Sequence, residues 1–119
     1  MKIGVIGGGQ LGRMMALAGI PLGLRFYFLD PSTEACAGDV GTLVLGAYDD
    51  TAAIDRLLSL VDVVTFEFES VPAETVAYIA QSKPVFPTAD ALAIARERWA
   101  EKSLFQSLDI PTAPVYKID

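Results

Sequence analysis

Three glycines near the N-terminus, Gly7, Gly9 and Gly12, form a G-x-G-x-x-G pattern that could hold an anion or a polar ligand. An apolar run precedes the pattern and a helical sequence follows it, which is the context that gives the pattern meaning. Glycine lets the backbone turn sharply and lie close to a ligand, and the N–H groups that open the next helix point to the same place. The glycines could instead serve only tight turning and helix packing, but the flanking elements favour the approach of a ligand.

Two residues inside the pattern and one acid beyond it bear on the choice of ligand. Gln10 and Leu11 open the helix, so their backbone N–H groups face the ligand side, and the Gln10 amide adds a donor and an acceptor. Asp30 closes the apolar run 24–29, where a dinucleotide-binding dehydrogenase holds a ribose. The pattern predicts a Rossmann-like half-domain and leaves the ligand open.

Two carboxylates, Glu67 and Glu69, lie where an apolar strand gives way to a helix that starts near Pro72. If the strand stays extended, the two side chains point to one face. Open parallel sheets bind ligands beyond the carboxyl ends of their strands, where a carboxylate can accept hydrogen bonds from an amine or a hydroxyl. An ordinary polar strand end is the alternative, and Glu67, which is nearer the strand, is the better candidate.

Two basic residues and one cysteine are weaker candidates. Arg98 and Lys102 share a helical face and could meet a phosphate, although a solvated face with Arg98 paired to Glu101 is the usual arrangement. Cys36 lies among small residues without a basic neighbour in sequence, so an inert thiol is expected.

The elements that must position these residues alternate between strand and helix. Strands are predicted at 2–6, 24–29, 42–45, 61–67 and 84–86, and their near-continuous apolar runs favour a parallel sheet covered on both faces. Helices are predicted between and after them, from residue 10 to about 19, after Thr51, from near Pro72, over 89–95 and over 97–108. Apolar positions at helical spacing predict a buried stripe on the first helix, made of Leu11, Met14, Met15 and Ala18. The fold class is therefore α/β, a Rossmann-like open parallel sheet with helices on both faces.

Composition narrows the function classes. The 119 residues are 52% hydrophobic and 20% charged, which suits one globular domain. A net charge of −6 without a basic cluster argues against a nucleic-acid partner. The absence of histidine disfavours a zinc site or a histidine base, and the single cysteine excludes an internal disulfide. The sequence enters its first strand without a leader or a membrane anchor, so we expect no membrane contact and a cytoplasmic setting.

The last residues are typical of a segment that leaves a domain. Pro111 and Pro114 bracket a short extended segment, and Val115 and Tyr116 resemble the start of a new strand. We therefore expect a Rossmann-like domain over 1–108 and a linker, or the start of another domain, over 109–119. A frayed edge strand is the alternative.

Five motifs in order then match one family. They are Gly7–Met14, Pro21–Gly23, Leu29–Pro31, Phe66–Pro72, and Lys102 with Phe105 leading into residues 110–114. Over essentially its whole length the chain resembles the N-terminal, pre-ATP-grasp domain of the 5-(carboxyamino)imidazole ribonucleotide synthases, ATP-grasp ligases of de novo purine biosynthesis. The formate-dependent glycinamide ribonucleotide ligases follow the same plan, but Gln10 and the motif Phe66–Pro72 favour the carboxylating family.

The resemblance implies a reaction and a set of contacts. ATP and bicarbonate would form carboxyphosphate, which would carboxylate the amino group of aminoimidazole ribonucleotide, with Mg²⁺ bridging the ATP phosphates. The glycine loop would face this substrate, and no NAD is expected. The implied substrate contacts are Gly9, Gln10, Leu11, Glu67 and Glu69, the implied ATP contact is Arg98, and Asp30 becomes structural or orders the loop.

Full-length members of that family continue for two further domains, which carry the glycine-rich lid, the lysines over ATP and the magnesium carboxylates. None of these is in the sequence. We therefore expect a fragment of a larger enzyme, inactive alone, without catalytic residues or metal ligands of its own, and a homodimer when full length. Two rivals stay open: an NAD-dependent dehydrogenase that binds through Asp30, and a non-catalytic nucleotide-binding module, which requires the native chain to end at Asp119.

Overall fold

A parallel sheet forms the centre of the computed structural model, which describes residues 1–68 and 70–117. Its strands are β1 (Lys2–Ile6), β2 (Arg25–Asp30), β3 (Thr42–Leu45) and β4 (Val63–Phe66), in the order β3-β2-β1-β4. Ile3 of β1 pairs with Phe26 on one side and with Val63 on the other. Beyond β4, one parallel bridge joins Val64 to Val85 in place of the strand predicted at 84–86. The predicted open parallel sheet is confirmed.

Helices connect the strands and follow the last one. They are α1 (Gln10–Gly19), α2 (Thr51–Leu60), α3 (Ala73–Ala80), α4 (Ala89–Arg96) and α5 (Arg98–Ser107), with short 3₁₀ turns at Ile20–Leu22 and Cys36–Asp39. Side chains that precede three of these helices accept hydrogen bonds from their first N–H groups, which fixes where the helices begin. These capping residues are Asp50, Thr88 and Glu97. Among the residues that the structure describes, no helix is long and apolar enough to cross a membrane.

The core lies on both faces of the sheet. Successive residues of a strand point to opposite faces, so Val5 packs in one apolar cluster and Ile6 in the other. Phe26 and Phe28 of β2 join Val5 under α1, while Leu29 joins Ile6 under α2 and α3. This arrangement confirms the prediction of helices on both faces.

The buried stripe predicted for α1 is wrong. Leu11 and Met14 are 56% and 61% exposed, Ala18 is exposed, and the buried residues are Gly12, Ala16 and Gly19. The reason is the close approach of α1 to the sheet, since a Cβ on Gly19 would lie 2.6 Å from the ring of Phe26. The helix therefore presents its smallest residues inward, and only Met15 of the predicted set is half-buried.

The C-terminal part of the chain also differs from the expectation in detail. The helix predicted over 97–108 is observed as α5, where Trp99 and Leu104 are 39% and 36% exposed, and Leu108, just after it, is 59% exposed. Residues 110–117 form neither helix nor strand, so the strand suggested at Val115 and Tyr116 is absent from this described segment.

Candidate functional site

The ends of three strands meet at one edge of the sheet. The glycine loop, Gly7–Gly9, follows β1, Asp30 is the last residue of β2, and Glu67 comes directly after β4. Gly7 has a φ of +106°, which only glycine adopts readily. Its N–H donates to the Leu29 carbonyl at 2.9 Å, so the loop is attached to the neighbouring strand.

Glu67 holds the start of α1. Its Oε1 accepts a hydrogen bond from the Gly9 N–H at 3.0 Å, and its Oε2 accepts one from the Gly12 N–H at 2.5 Å. A Cβ on Gly7 would lie 2.5 Å from Glu67 Cγ, and one on Gly9 would lie 2.9 Å from Oε1. The glycine spacing is therefore accounted for by a carboxylate of the chain itself, lying where the sequence favours a ligand.

Asp30 holds the middle of the glycine loop. The side chain is only 8% exposed. Its Oδ2 accepts hydrogen bonds from the Gly8 N–H at 2.8 Å and from the Tyr48 hydroxyl at 3.0 Å, and its Oδ1 accepts one from the Ser32 N–H at 2.9 Å. Three donors thus stabilise a buried carboxylate, which is the loop-ordering role that the resemblance implies for Asp30.

Tyr48 is a member of this site that the sequence analysis missed. Burial raises the pKa of its phenol, and the hydrogen bond to Asp30, the Asp30 charge and the Glu67 charge raise it further. The phenol therefore stays protonated and remains a donor. Its ring packs against Phe68 at 5.1 Å between centroids, and Thr75 Oγ1 donates to its carbonyl at 2.7 Å. Its position just after β3, at the ligand-binding edge of the sheet, is the signal from which Tyr48 could have been predicted.

Gln10 and Leu11 are the first two residues of α1, as predicted, and both are exposed. Within the described residues their backbone N–H groups have no acceptor. Beside Glu67 an apolar cleft of about 370 Å³ opens, bordered by Phe66, Phe68, Pro87, Ala91, Leu92 and Ala95. Polar groups of the helix start and an apolar surface therefore both adjoin the Glu67 carboxylate.

Arg98 lies at the start of α5. It is distant from the glycine loop in sequence and makes no hydrogen bond to it. Its guanidinium pairs with Glu101 at 3.2 Å, and the side chain is 76% exposed. It borders a cleft with Ser70, Arg96 and Ala95, and Ala95 also borders the apolar cleft beside Glu67. The pair with Glu101 is the arrangement that the sequence predicts.

Glu69 lies outside the described residues. In the part of the chain that is described, no three His, Cys, Asp or Glu side chains are grouped so that they could hold a metal ion. Asp30 and Glu67 are held by N–H and hydroxyl donors, and the single ion pair among the described residues joins Arg98 to Glu101.

Comparison with known proteins finds relatives over most of the chain. The sequence profile of the ribonucleotide synthetase preATP-grasp domain matches residues 1–96. The chain is 61% identical, over 94% of its length, to the N5-carboxyaminoimidazole ribonucleotide synthase of Pseudomonas aeruginosa. The crystal structure of the corresponding synthetase from Thermus thermophilus superposes with a TM-score of 0.91 at 54% identity, covering 94% of this chain and 31% of that one.

A more distant structure was solved with bound ligands. It is the N5-carboxyaminoimidazole synthase of Aspergillus clavatus in complex with ADP and 5-aminoimidazole ribonucleotide, with a TM-score of 0.86 at 28% identity. The match covers 95% of this chain and 31% of that one. The chain also spans 31% of the Pseudomonas relative, so the similarity concerns about the first third of such proteins.

Proposed function

The chain belongs to the ribonucleotide synthetase preATP-grasp domain family, and on that premise we propose that it is the substrate-side domain of an ATP-dependent carbon–nitrogen ligase. The reaction is the carboxylation of aminoimidazole ribonucleotide in purine biosynthesis. Bicarbonate attacks the γ-phosphate of ATP to give carboxyphosphate and ADP. The substrate amine then attacks the carboxyl carbon, phosphate leaves, and the amine proton is released.

One observation carries this proposal: the 61% identity to the Pseudomonas synthase extends over 94% of the chain. This similarity does not favour a dehydrogenase. A dehydrogenase would use the Asp30 carboxylate to bind a ribose. That carboxylate already accepts three hydrogen bonds within the chain.

We assign the substrate contacts to Gly9, Gln10, Leu11, Glu67 and Glu69. A carboxylate has about four acceptor positions, and the two N–H donors on Glu67 leave it able to accept from the substrate amine. Gln10 offers a donor and an acceptor from an exposed position at the start of α1. The apolar cleft beside Glu67 provides a surface for a flat ring.

We assign an ATP contact to Arg98, whose exposed guanidinium keeps donors for a phosphate besides its bond to Glu101. Magnesium, when bound, neutralises charge on the ATP phosphates. The described residues offer no metal cluster, so we place its ligands, and the catalytic residues, in the two thirds of such proteins that the chain does not span. We also propose that residues 109–119 link this domain to the next one and that the chain alone is inactive.

Two further proposals concern the complete protein. We propose a homodimer, because α1 leaves Met14 and Leu17 more than half exposed and a second copy would cover such a face. Sedimentation of the complete protein tests this, and a monomer at micromolar concentration contradicts it. We propose a cytoplasmic setting, in keeping with the free thiol of Cys36.

The test uses the complete polypeptide that carries this chain. We expect ADP release that requires both aminoimidazole ribonucleotide and bicarbonate, and none with glycinamide ribonucleotide and formate. Activity with the second pair only would assign the protein to the formate-dependent ligases. Saturable binding without any turnover would favour a binding module.

Variants assign the individual residues. Glu67→Gln and Glu69→Gln are compared for the KM of aminoimidazole ribonucleotide, and the carboxylate that accepts from the substrate gives the larger rise. Arg98→Gln should raise the KM of ATP about tenfold or more, as expected when a charged hydrogen bond is lost. Arg25→Gln is the matched control, because Arg25 is exposed at the opposite end of β2. Equal effects of the two arginine variants would contradict the ATP assignment.

A further inference from the structure

The loop between β4 and α3, residues 67–72, has few backbone hydrogen bonds. The Glu67 N–H donates to the Ile6 carbonyl at 3.2 Å, and the Pro72 carbonyl accepts from N–H groups of α3. Between these ends, the backbone of residues 68, 70 and 71 has a single hydrogen-bond partner within the described part of the chain. That partner is the Arg96 guanidinium, whose Nη1 donates to the Val71 carbonyl at 3.0 Å. The position of the loop therefore depends on a side chain 25 residues further along the chain.

The sequence of α4 places Arg96 beside this carbonyl. Leu92 lies four residues earlier, on the same face of the helix. It is 3% exposed and packs in the apolar cluster that also holds Val71. Arg96 is the last residue of α4. A cation is favoured at the C-terminus of a helix even without a partner, so the bond to Val71 goes beyond that general preference.

The bond between Arg96 and Val71 is of a kind that can hold a loop in place. Its donor is charged, and hydrogen bonds with an ionised partner are about twice as strong as neutral ones. Val71 is fully buried and the bond itself is partly buried, so water competes with it less than it would at the surface. Loss of the guanidinium would leave the loop attached mainly through its apolar side chains.

Arg96 also lies next to the proposed ATP contact. Glu97 separates α4 from α5, and its carboxylate caps the start of α5, where Arg98 is the first residue. Arg96, Arg98 and Ser70 border one cleft of about 440 Å³. The residue that holds the β4–α3 loop is therefore two positions from the arginine assigned to ATP.

We propose that Arg96 is a positioning residue for aminoimidazole ribonucleotide. Through its bond to the Val71 carbonyl it keeps the β4–α3 loop, which bears the proposed substrate contacts Glu67 and Glu69, in the conformation that binds the substrate. This inference rests on the proposed function for the identity of the ligand. The alternative is a direct contact between Arg96 and an ATP phosphate in the cleft shared with Arg98, and the experiment separates the two roles.

The first measurement uses the complete polypeptide that carries this chain. Arg96→Met keeps the apolar stem and removes every donor, so the loop must be ordered when the substrate binds. The KM of aminoimidazole ribonucleotide should therefore rise about fivefold, while the KM of ATP changes about twofold at most. Arg96→Lys keeps a charged donor and should recover most of the loss. An unchanged KM of the ribonucleotide, or a rise in the KM of ATP that is as large, would overturn the proposal.

Arg56 provides the matched control for Arg96. It is also an exposed helical arginine that donates to a backbone carbonyl at 3.0 Å, in this case the carbonyl of Leu45 at the end of β3. Arg56→Met loses the same kind of bond away from the β4–α3 loop and should leave both KM values unchanged. Equal rises in the KM of the ribonucleotide for Arg56→Met and Arg96→Met would overturn the proposal.

A second measurement does not depend on ligase activity. In the 119-residue chain, labelled with ¹⁵N, relaxation gives order parameters for the amides of Phe68, Ser70 and Val71. The native chain and Arg56→Met should give values of about 0.85, typical of a rigid backbone, and Arg96→Met values below about 0.7. Equal values in Arg96→Met and the native chain would overturn the proposal. Since these samples contain no substrate, failure of the ligase assignment would leave this result unaffected.

Discussion

Replacing Tyr48 by phenylalanine isolates one of the contacts that hold the glycine loop. The Tyr48 hydroxyl donates to Asp30 Oδ2 at 3.0 Å, and the Asp30 side chain is 8% exposed. Tyr48→Phe removes the hydroxyl and keeps the ring, together with its packing against Phe68. Asp30 then keeps the N–H donors of Gly8 and Ser32 but loses the third in a place that water hardly reaches.

The magnitude follows from the charge on the acceptor. Hydrogen bonds to charged groups contribute about 1.5–3 kcal/mol to stability, and a buried acceptor that loses its donor keeps its desolvation penalty. We therefore expect Tyr48→Phe to lower the free energy of unfolding by about 1.5–3 kcal/mol. For a domain of this size the same change lowers Tm by roughly 6–12 °C.

Tyr78 provides a matched control on the same chain. Its hydroxyl donates to Asp55 Oδ1 at 2.9 Å, but this bond is exposed, so water replaces the donor when Tyr78→Phe removes it. Urea denaturation followed by far-ultraviolet circular dichroism compares the three chains at equal m-values. A Tyr48→Phe chain as stable as the native one, or a Tyr78→Phe loss as large as that of Tyr48→Phe, would refute the reasoning.

Tyr48 also predicts a dependence on alkaline pH. Burial, then the hydrogen bond to Asp30 and the Asp30 and Glu67 charges, raise the pKa of Tyr48 above its ordinary value of 10.0. As pH rises above 10.0 the unfolded chain releases the phenol proton while the folded chain keeps it, so stability falls. The stability that Tyr48 contributes is thus complete below this pH. Above it, the native chain should lose stability more steeply than Tyr48→Phe.

Three further substitutions test the packing and the caps by the same denaturation assay. Gly12→Ala should lower the free energy of unfolding by about 1–3 kcal/mol through overpacking, since its Cβ would lie 3.1 Å from three heavy atoms. Gly38→Ala is the control and should be nearly neutral, because the nearest atom to its Cβ would be 3.6 Å away. Asp50→Ala removes the cap of α2 and should cost about 1 kcal/mol; no loss would contradict the capping role. Leu57→Ala, at a fully buried position, should cost about 2–5 kcal/mol, and Leu60→Ala, 37% exposed on the same helix, should cost much less.

The fold was largely predictable because its signals are local. Apolar runs located the four strands to within two residues at each end, and the predicted starts of α2 and α4 lie within one residue of the observed ones. The buried face of α1 was not predictable from hydrophobic spacing. How closely a helix approaches its sheet depends on tertiary packing, and here Gly12, Ala16 and Gly19 allow a distance that Leu11 and Met14 would prevent.

The site was predictable in its parts and not in its connections. The carboxyl ends of parallel strands meet at one edge, so Glu67 and the glycine loop were expected to be near each other. That Glu67 bonds to the loop depends on β4 ending at Phe66 and the chain bending at once, which alternation along an extended strand does not reveal. Tyr48 reaches Asp30 from a loop after β3, a contact between residues that no local pattern connects.

The glycine pattern itself explains why its ligand was ambiguous. A pyrophosphate and an internal carboxylate make the same demands on the loop: a sharp turn, no Cβ in the way, and N–H groups that converge on an anion. The positions that need glycine for a dinucleotide are therefore the ones that need it for Glu67, whose Cγ would lie 2.5 Å from a Cβ on Gly7. The two cases differ in whether an acid follows β4 directly. β4 is the strand that pairs with β1 on the side opposite to β2. A carboxylate at that place in a Rossmann-like sequence predicts a loop that is already occupied, and this can be tested in other chains from sequence alone.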